Sequence, residues 1–343
     1  FTQSVESIAA YAQATLELLP TVDLTLGGRW TRDDKQGQFT QLVNTPFAAT
    51  LRAAENTPLD FTDDRFTWRA SLNWNPSDDV MVFANYSTGY KSGGFNSGGG
   101  TPALGQRRLF ANETVENYEL GAKTSWMGGQ FTLNATAFRM DIAGFQDRSF
   151  DGLSFVVRNA GNLRQQGVEM DAAIRPSRNF AFTAALAYLD SEFTDYQGAS
   201  GLPGVGGTRN ITGTPNAFSP KWQGSVGFRW NGDVGSTGWS WTLSPSVSFI
   251  SDHYQGINDA NPQNIQDGYA TVQARFAISG PDDRWTVSVF GSNLTNQTYC
   301  QSRFYQTLGA ALGLNNGVFA GSGAVRCQVA EPRSFGVNGT VRF

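Results

Sequence analysis

No stretch of this chain approaches the ~18 consecutive apolar residues that a membrane-spanning helix requires. Charge is scarce as well. Charged residues make up 16% of the 343, and a net charge of -4 gives no basic footprint for nucleic acid. There is one histidine, His253, and there are two cysteines, Cys300 and Cys327, which leaves little for a protein-built metal centre. Both cysteines fall in one long loop and read as a single disulfide made in an oxidising compartment, with two free thiols as the alternative. A serine-type triad would have to use His253 beside Asp252, a pairing that is ordinarily solvated surface. Gly98-Gly99-Gly100 has no helix after it and cannot cradle a phosphate, and Asp282-Asp283 lacks a twelve-residue calcium pattern. Phe1 is no initiator Met and no signal peptide precedes it, so the chain reads as a processed or truncated piece.

What the chain does have is glycine and aromatics: 39 Gly, 25 Phe, 10 Tyr and 9 Trp. Its mean hydropathy of -0.32 is that of a soluble protein. A membrane β-barrel scores the same, because its lipid-facing and lumen-facing residues alternate and cancel. Few charges beside many aromatics suit interfacial girdles, although a Gly-rich β-sandwich could show the same totals.

About thirteen strand-like runs follow one another. They fall near 7-19, 22-34, 64-75, 79-91, 114-126, 130-144, 163-175, 179-192, 221-231, 238-254, 267-279, 284-297 and 333-343. Connections alternate strictly between short turns, such as Pro20-Thr21 and Met127-Gly128-Gly129, and long polar loops. Short turns at one end and long loops at the other are the pattern of a membrane barrel, with long loops outside and the last strand descending to the periplasm.

Facing agrees, since alternate strand residues point to opposite sides. Trp222, Gly224, Val226, Phe228 and Trp230 oppose Gln223, Ser225 and Arg229; Val168, Met170, Ala172 and Ile174 oppose Glu169 and Asp171. A lipid-facing cation at mid-membrane costs about 2–4 kcal/mol, so these charges must face a lumen. Phe138-Arg139-Met140-Asp141-Ile142 loses phase with Leu133, Ala135 and Ala137, which predicts a bulge or a strand leaving the membrane. In the last strand Phe335, Val337, Val341 and Phe343 share one face, against Ser334, Asn338, Thr340 and Arg342. This run resembles the closing strand of a bacterial outer-membrane barrel, in which a terminal aromatic such as Phe343 forms part of the membrane-insertion signal. An odd strand number leaves an edge unpaired in lipid, so either the count is off by one or strands precede Phe1.

Several segments, in order, resemble the second half of a TonB-dependent outer-membrane receptor. The most specific is the strand-to-loop stretch 83–96, with Tyr86, Gly89, Tyr90, Lys91, Gly93, Gly94, Phe95 and Asn96. Others are Glu116-Asn117-Tyr118-Glu119-Leu120-Gly121, Asn159-Ala160-Gly161, Gly167-Val168-Glu169 and Asn293-Leu294-Thr295-Asn296. The resemblance covers essentially the whole chain. It implies an all-β fold, residues 1-343 forming about the last thirteen strands of a plugged barrel of about 22 strands. The plug, the TonB-binding segment and the first strands would lie outside this sequence.

The resemblance further implies an importer, not an enzyme, of a scarce bulky ligand such as a ferric siderophore, driven through TonB, ExbB and ExbD. Oligosaccharide, cobalamin or haem are other cargoes of such proteins, and a passive pore or a soluble binding module are other readings. No cofactor is implied, since iron would enter only inside its chelate. Arg29, Arg69, Glu119, Lys123, Glu169, Asp171, Arg229 and Arg275 would face the lumen and plug, or pair with one another along the wall. Tyr90, Lys91, Phe95, Asn96, Phe110, Tyr254 and Tyr305 would lie at the mouth, where they could touch ligand or pack the loops.

Overall fold

A computed structural model describes residues 1–43, 54–98, 108–150, 155–202, 207–305 and 325–343. Thirteen strands form one antiparallel sheet in which each pairs with its sequence neighbours. The first seven are β1 (Thr2–Leu19), β2 (Val22–Gln41), β3 (Glu55–Ser77), β4 (Val80–Lys91), β5 (Glu113–Trp126), β6 (Phe131–Ala143) and β7 (Asn162–Ser177). The others are β8 (Phe180–Asp195), β9 (Trp222–Asp233), β10 (Ser240–Ile250), β11 (Tyr269–Ser279), β12 (Trp285–Ser292) and β13 (Ser334–Val341). There is no α-helix among the described residues. Strands β1 and β13 each have one neighbour, so the sheet is an open wall and not a closed barrel.

One face of the wall is apolar, and cross-strand register keeps it so from strand to strand. Leu16, Leu24 and Leu72 lie opposite one another, as do Ala184 and Val226, Val247 and Val272, and Val289 and Val337. Val226, Phe276, Val289 and Phe335 on this face stay exposed, which in water would be an aggregating surface and in lipid is a solvated one. Aromatic pairs edge it at both ends. Trp68, Tyr86 and Tyr118 run along one rim with Tyr188 against Trp222; Trp126–Phe131, Trp230–Trp241 and Trp239–Trp285 run along the other. From Trp222 to Trp230 is about nine residues, the length with which a tilted strand crosses the hydrocarbon. Aromatic rings suit these levels because each has an apolar body and, in Tyr and Trp, a polar tip.

Beyond the first rim the same face turns ionic. Arg139 pairs with Asp141 at 2.8 Å, Arg164 with Glu192 at 3.2 Å, and Arg32 with Asp34 at 2.8 Å. The loss of phase in β6 therefore is no bulge: its register with β5 and β7 is continuous, and Arg139 and Asp141 simply lie past the apolar band.

Three sequence boundaries need correction. The β2–β3 hairpin runs on to Gln41 and Glu55, where a loop from 35 to 63 is expected; above the band one face is polar and the other mixes Lys35, Gly37 and Thr57 with Phe39, Leu59 and Phe61, which leaves only a broken apolar alternation. The run 238-254 ends at Ile250, and His253–Tyr254 form a separate ribbon with Ile265–Gln266. The run 284-297 ends at Ser292, where Asn293 and Asn296 take positive φ in a turn.

Candidate functional site: the lumen face and its mouth

The polar face carries the charges. Glu119 accepts from Asn85 at 3.0 Å and from Asn117 at 2.9 Å, and Asp171 accepts from Asn134 at 2.9 Å. Arg29 donates to Thr31 at 3.0 Å, and Arg69 donates to Gln13. The Lys123 ammonium lies 5.9 Å from the Phe83 ring centre. Glu169, Arg229 and Arg275 share that face. Among the described residues, no ion pair joins any two of these eight. Amides and an aromatic ring hold several of them in place. A recess of about 660 Å³ opens among Asn134, Glu169, Asp171, Gln223, Ser225 and Tyr269, where Tyr269 stacks on Tyr299 at 3.8 Å.

At the end opposite the short turns, the long connections are tied into a belt. Lys35 donates to the Gly93 carbonyl at 2.6 Å, and Arg108 bonds Glu55 at 2.6 Å with its guanidinium over Phe39. Asn96 clamps Val157 from both sides, donating to its carbonyl at 2.9 Å and accepting from its N–H at 2.7 Å. Asp147 accepts from Tyr196 at 2.6 Å and from Asn258 at 2.8 Å. Burial and the Asp147 charge push the Tyr196 phenol well above its ordinary range, so it stays a donor. Gln255 donates to the Cys300 carbonyl at 3.0 Å, and Arg303 to that of Ile265 at 2.5 Å. The belt thus closes on the disulfide Cys300–Cys327, whose Cα atoms are 5.3 Å apart.

The mouth residues separate by environment. Phe95 is buried with Phe39 and Leu59, and Asn96 is buried in its clamp. Phe110 lies against Gly94 and Gly93; a Cβ at Gly93 would collide with the Phe110 carbonyl and the Phe61 ring, so this crossing needs glycine. Tyr90 donates to Asp33 at 3.0 Å. Lys91 is exposed, and Tyr254 is half-buried in a recess of about 310 Å³ with Asp190, Lys221 and His253. The side chain of Tyr305 lies outside the described residues. Sequence reading missed Asp147, Tyr196, Asn258 and Gln255, because isolated polar residues in separate loops leave no periodic signal.

A two-faced antiparallel wall, apolar and rimmed by aromatics on one side and charged on the other, defines a transmembrane β-barrel protein. Residues 1–294 match the model of the TonB dependent receptor-like β-barrel, and the chain belongs to that family. It is 25% identical over 342 residues to the pesticin receptor of Yersinia pestis, covering 99% of this chain and 44% of that protein. Over 197 residues it is 24% identical to the probable TonB-dependent siderophore receptor PiuA of Acinetobacter baumannii, covering 57% of this chain and 25% of that one. The ferric yersiniabactin uptake receptor FyuA of Yersinia pestis has the same fold, with a TM-score of 0.75 and 23% identity over 99% of this chain and 46% of that one. The chain therefore spans less than half the length of these relatives.

Proposed function

We propose that this chain is wall of an outer-membrane receptor that actively imports a ferric siderophore complex. The observation that carries the reading is the lumen face: Glu169, Asp171, Arg229 and Arg275 line it and, among the described residues, form no ion pair with one another, which supports a body seated in the lumen. Relatives named as siderophore receptors support the cargo class. In this reading the long loops are extracellular and Phe343 is periplasmic, where it helps mark the chain for insertion.

Cargo would meet the mouth at Tyr90, Lys91 and Tyr254; Phe95, Asn96 and Phe110 would support these from behind, with Tyr305 on the cystine loop. No covalent bond of the cargo changes, and the iron stays with its chelator, so neither catalytic residue nor protein-bound metal is needed. Energy would come from TonB, ExbB and ExbD.

The test is radiolabelled iron uptake from a panel of ferric siderophores by cells carrying or lacking the parent gene. The reading expects one or more chelates whose uptake needs both this gene and tonB. Uptake that needs the gene but survives loss of tonB would instead identify a passive pore.

A further inference from the structure

The chain's one histidine sits at the joint between two mouth loops. His253, Gln255, Gln266 and Cys300 are all buried. The Nδ1 of His253 lies 3.0 Å from the Ser251 carbonyl and therefore carries a proton. Its Nε2 lies 3.2 Å from Nε2 of Gln255, a group that can only donate, so this second ring nitrogen must accept. The imidazole is neutral in this arrangement. The same Gln255 amide nitrogen donates to the Cys300 carbonyl at 3.0 Å, while Gln255 Oε1 is buried and has no partner.

We infer that Gln255 is a two-position switch set by the protonation of His253. A proton added at Nε2 puts two donors face to face, which is repulsive. Turning the Gln255 amide by half a turn gives that N–H an acceptor and gives the orphaned Oε1 its partner. The same turn takes the donor away from Cys300 and sets oxygen against oxygen there. Among the described residues, one of three hydrogen-bond ties between the 253–266 ribbon and the cystine loop is then lost; Cys300 N–H to Gln266 at 2.9 Å and Arg303 to Ile265 remain. Acid thus loosens the join that frames Tyr254, without touching the wall. Imidazole is the side chain that ordinarily changes charge between about pH 5 and 8.

Other ionisable groups stand around the imidazole. Asp190, Glu192, Lys221, Asp252 and Tyr254 line the same recess, Arg303 lies on the cystine side, and Asp259 is buried within the loop. Burial pushes the Asp259 carboxyl up, against the pull of the Asn261 N–H and of Asn264 and Arg209. Its protonation removes a buried charge and tightens the loop, so Asp259 opposes the loosening expected of the imidazole. The variants His253→Asn and Gln255→Met separate the imidazole from Asp190 and Glu192, whose bonds to Gln166 and Arg164 also weaken in acid.

The test is hydrogen exchange, as protection factors, on the full-length receptor in lipid nanodiscs at about pH 8 and about pH 5. Protection over 253–266 and 300–305 is expected to fall about tenfold in acid, the scale of one lost hydrogen bond. In His253→Asn, and separately in Gln255→Met, protection is expected to be the same at both pH values. An unchanged wild type, or the same fall in both variants, overturns the switch. A variant whose loops are open at both pH values is read instead from the wild-type imidazole nitrogen shifts, where absence of a neutral Nδ1–H form at the higher pH also overturns it. Neither readout depends on cargo or on TonB.

Discussion

Tyr196 donates its hydroxyl to Asp147 at 2.6 Å although 49 residues separate them, and the bond ties two mouth loops together. Replacing Tyr196 with Phe leaves one oxygen of a buried carboxylate without its donor. Loop opening should become easier by about 1–3 kcal/mol, read as faster hydrogen exchange at 144–161 and 196–217 with the wall strands unchanged. Because the folded phenol is pushed above its unfolded value, the tie is complete below the ordinary phenol range and is lost only as strongly alkaline pH ionises it. Wild type should therefore show an alkaline loosening that Tyr196→Phe lacks.

The disulfide should act on its loop and not on the wall. Cys300 and Cys327 are separated by 27 residues, and their bond closes the ribbon 300–305/325–329. Reduction, or Cys300→Ala with Cys327→Ala, should cost that unit about 2–4 kcal/mol. Limited proteolysis should cut there first, while heat-modifiable migration of the barrel is retained.

A charge on the apolar face should be far worse than one beside it on the lumen face. Val226→Arg sits midway between the aromatic rims and should cost about 2–4 kcal/mol in folding into lipid vesicles. Ser225→Arg, one residue away, should fold almost as well as wild type.

Much of the wall was legible because lipid on one side and water on the other force a strict period of two. Thirteen runs, their order and the facing of Trp222 to Trp230 all follow from that constraint. Beyond the lipid, where strands pack against loops and not against hydrocarbon, the constraint lapses. The upper part of the β2–β3 hairpin and the ribbon Gln146–Phe150 with Phe155–Asn159 are strands without regular alternation, and the sequence shows them as loop. The belt was illegible for a different reason. Its members, such as Asn96 with Val157 or Gln255 with Cys300, are single contacts between loops, set by tertiary structure. Phe95 illustrates the limit: an aromatic at a loop base is visible in sequence, but its burial against Phe39 and Leu59 is not.

The measurement that bears most directly on the two-faced wall is a cysteine scan from Gln223 to Arg229 in the full-length receptor, reconstituted in lipid. The native cystine is oxidised and leaves the introduced thiols as the reactive ones. A water-soluble maleimide should label positions 223, 225, 227 and 229, and a lipid-dissolved quencher should reach probes at 224, 226 and 228. Labelling at every position, or quenching without alternation, would contradict a membrane wall with a lumen face.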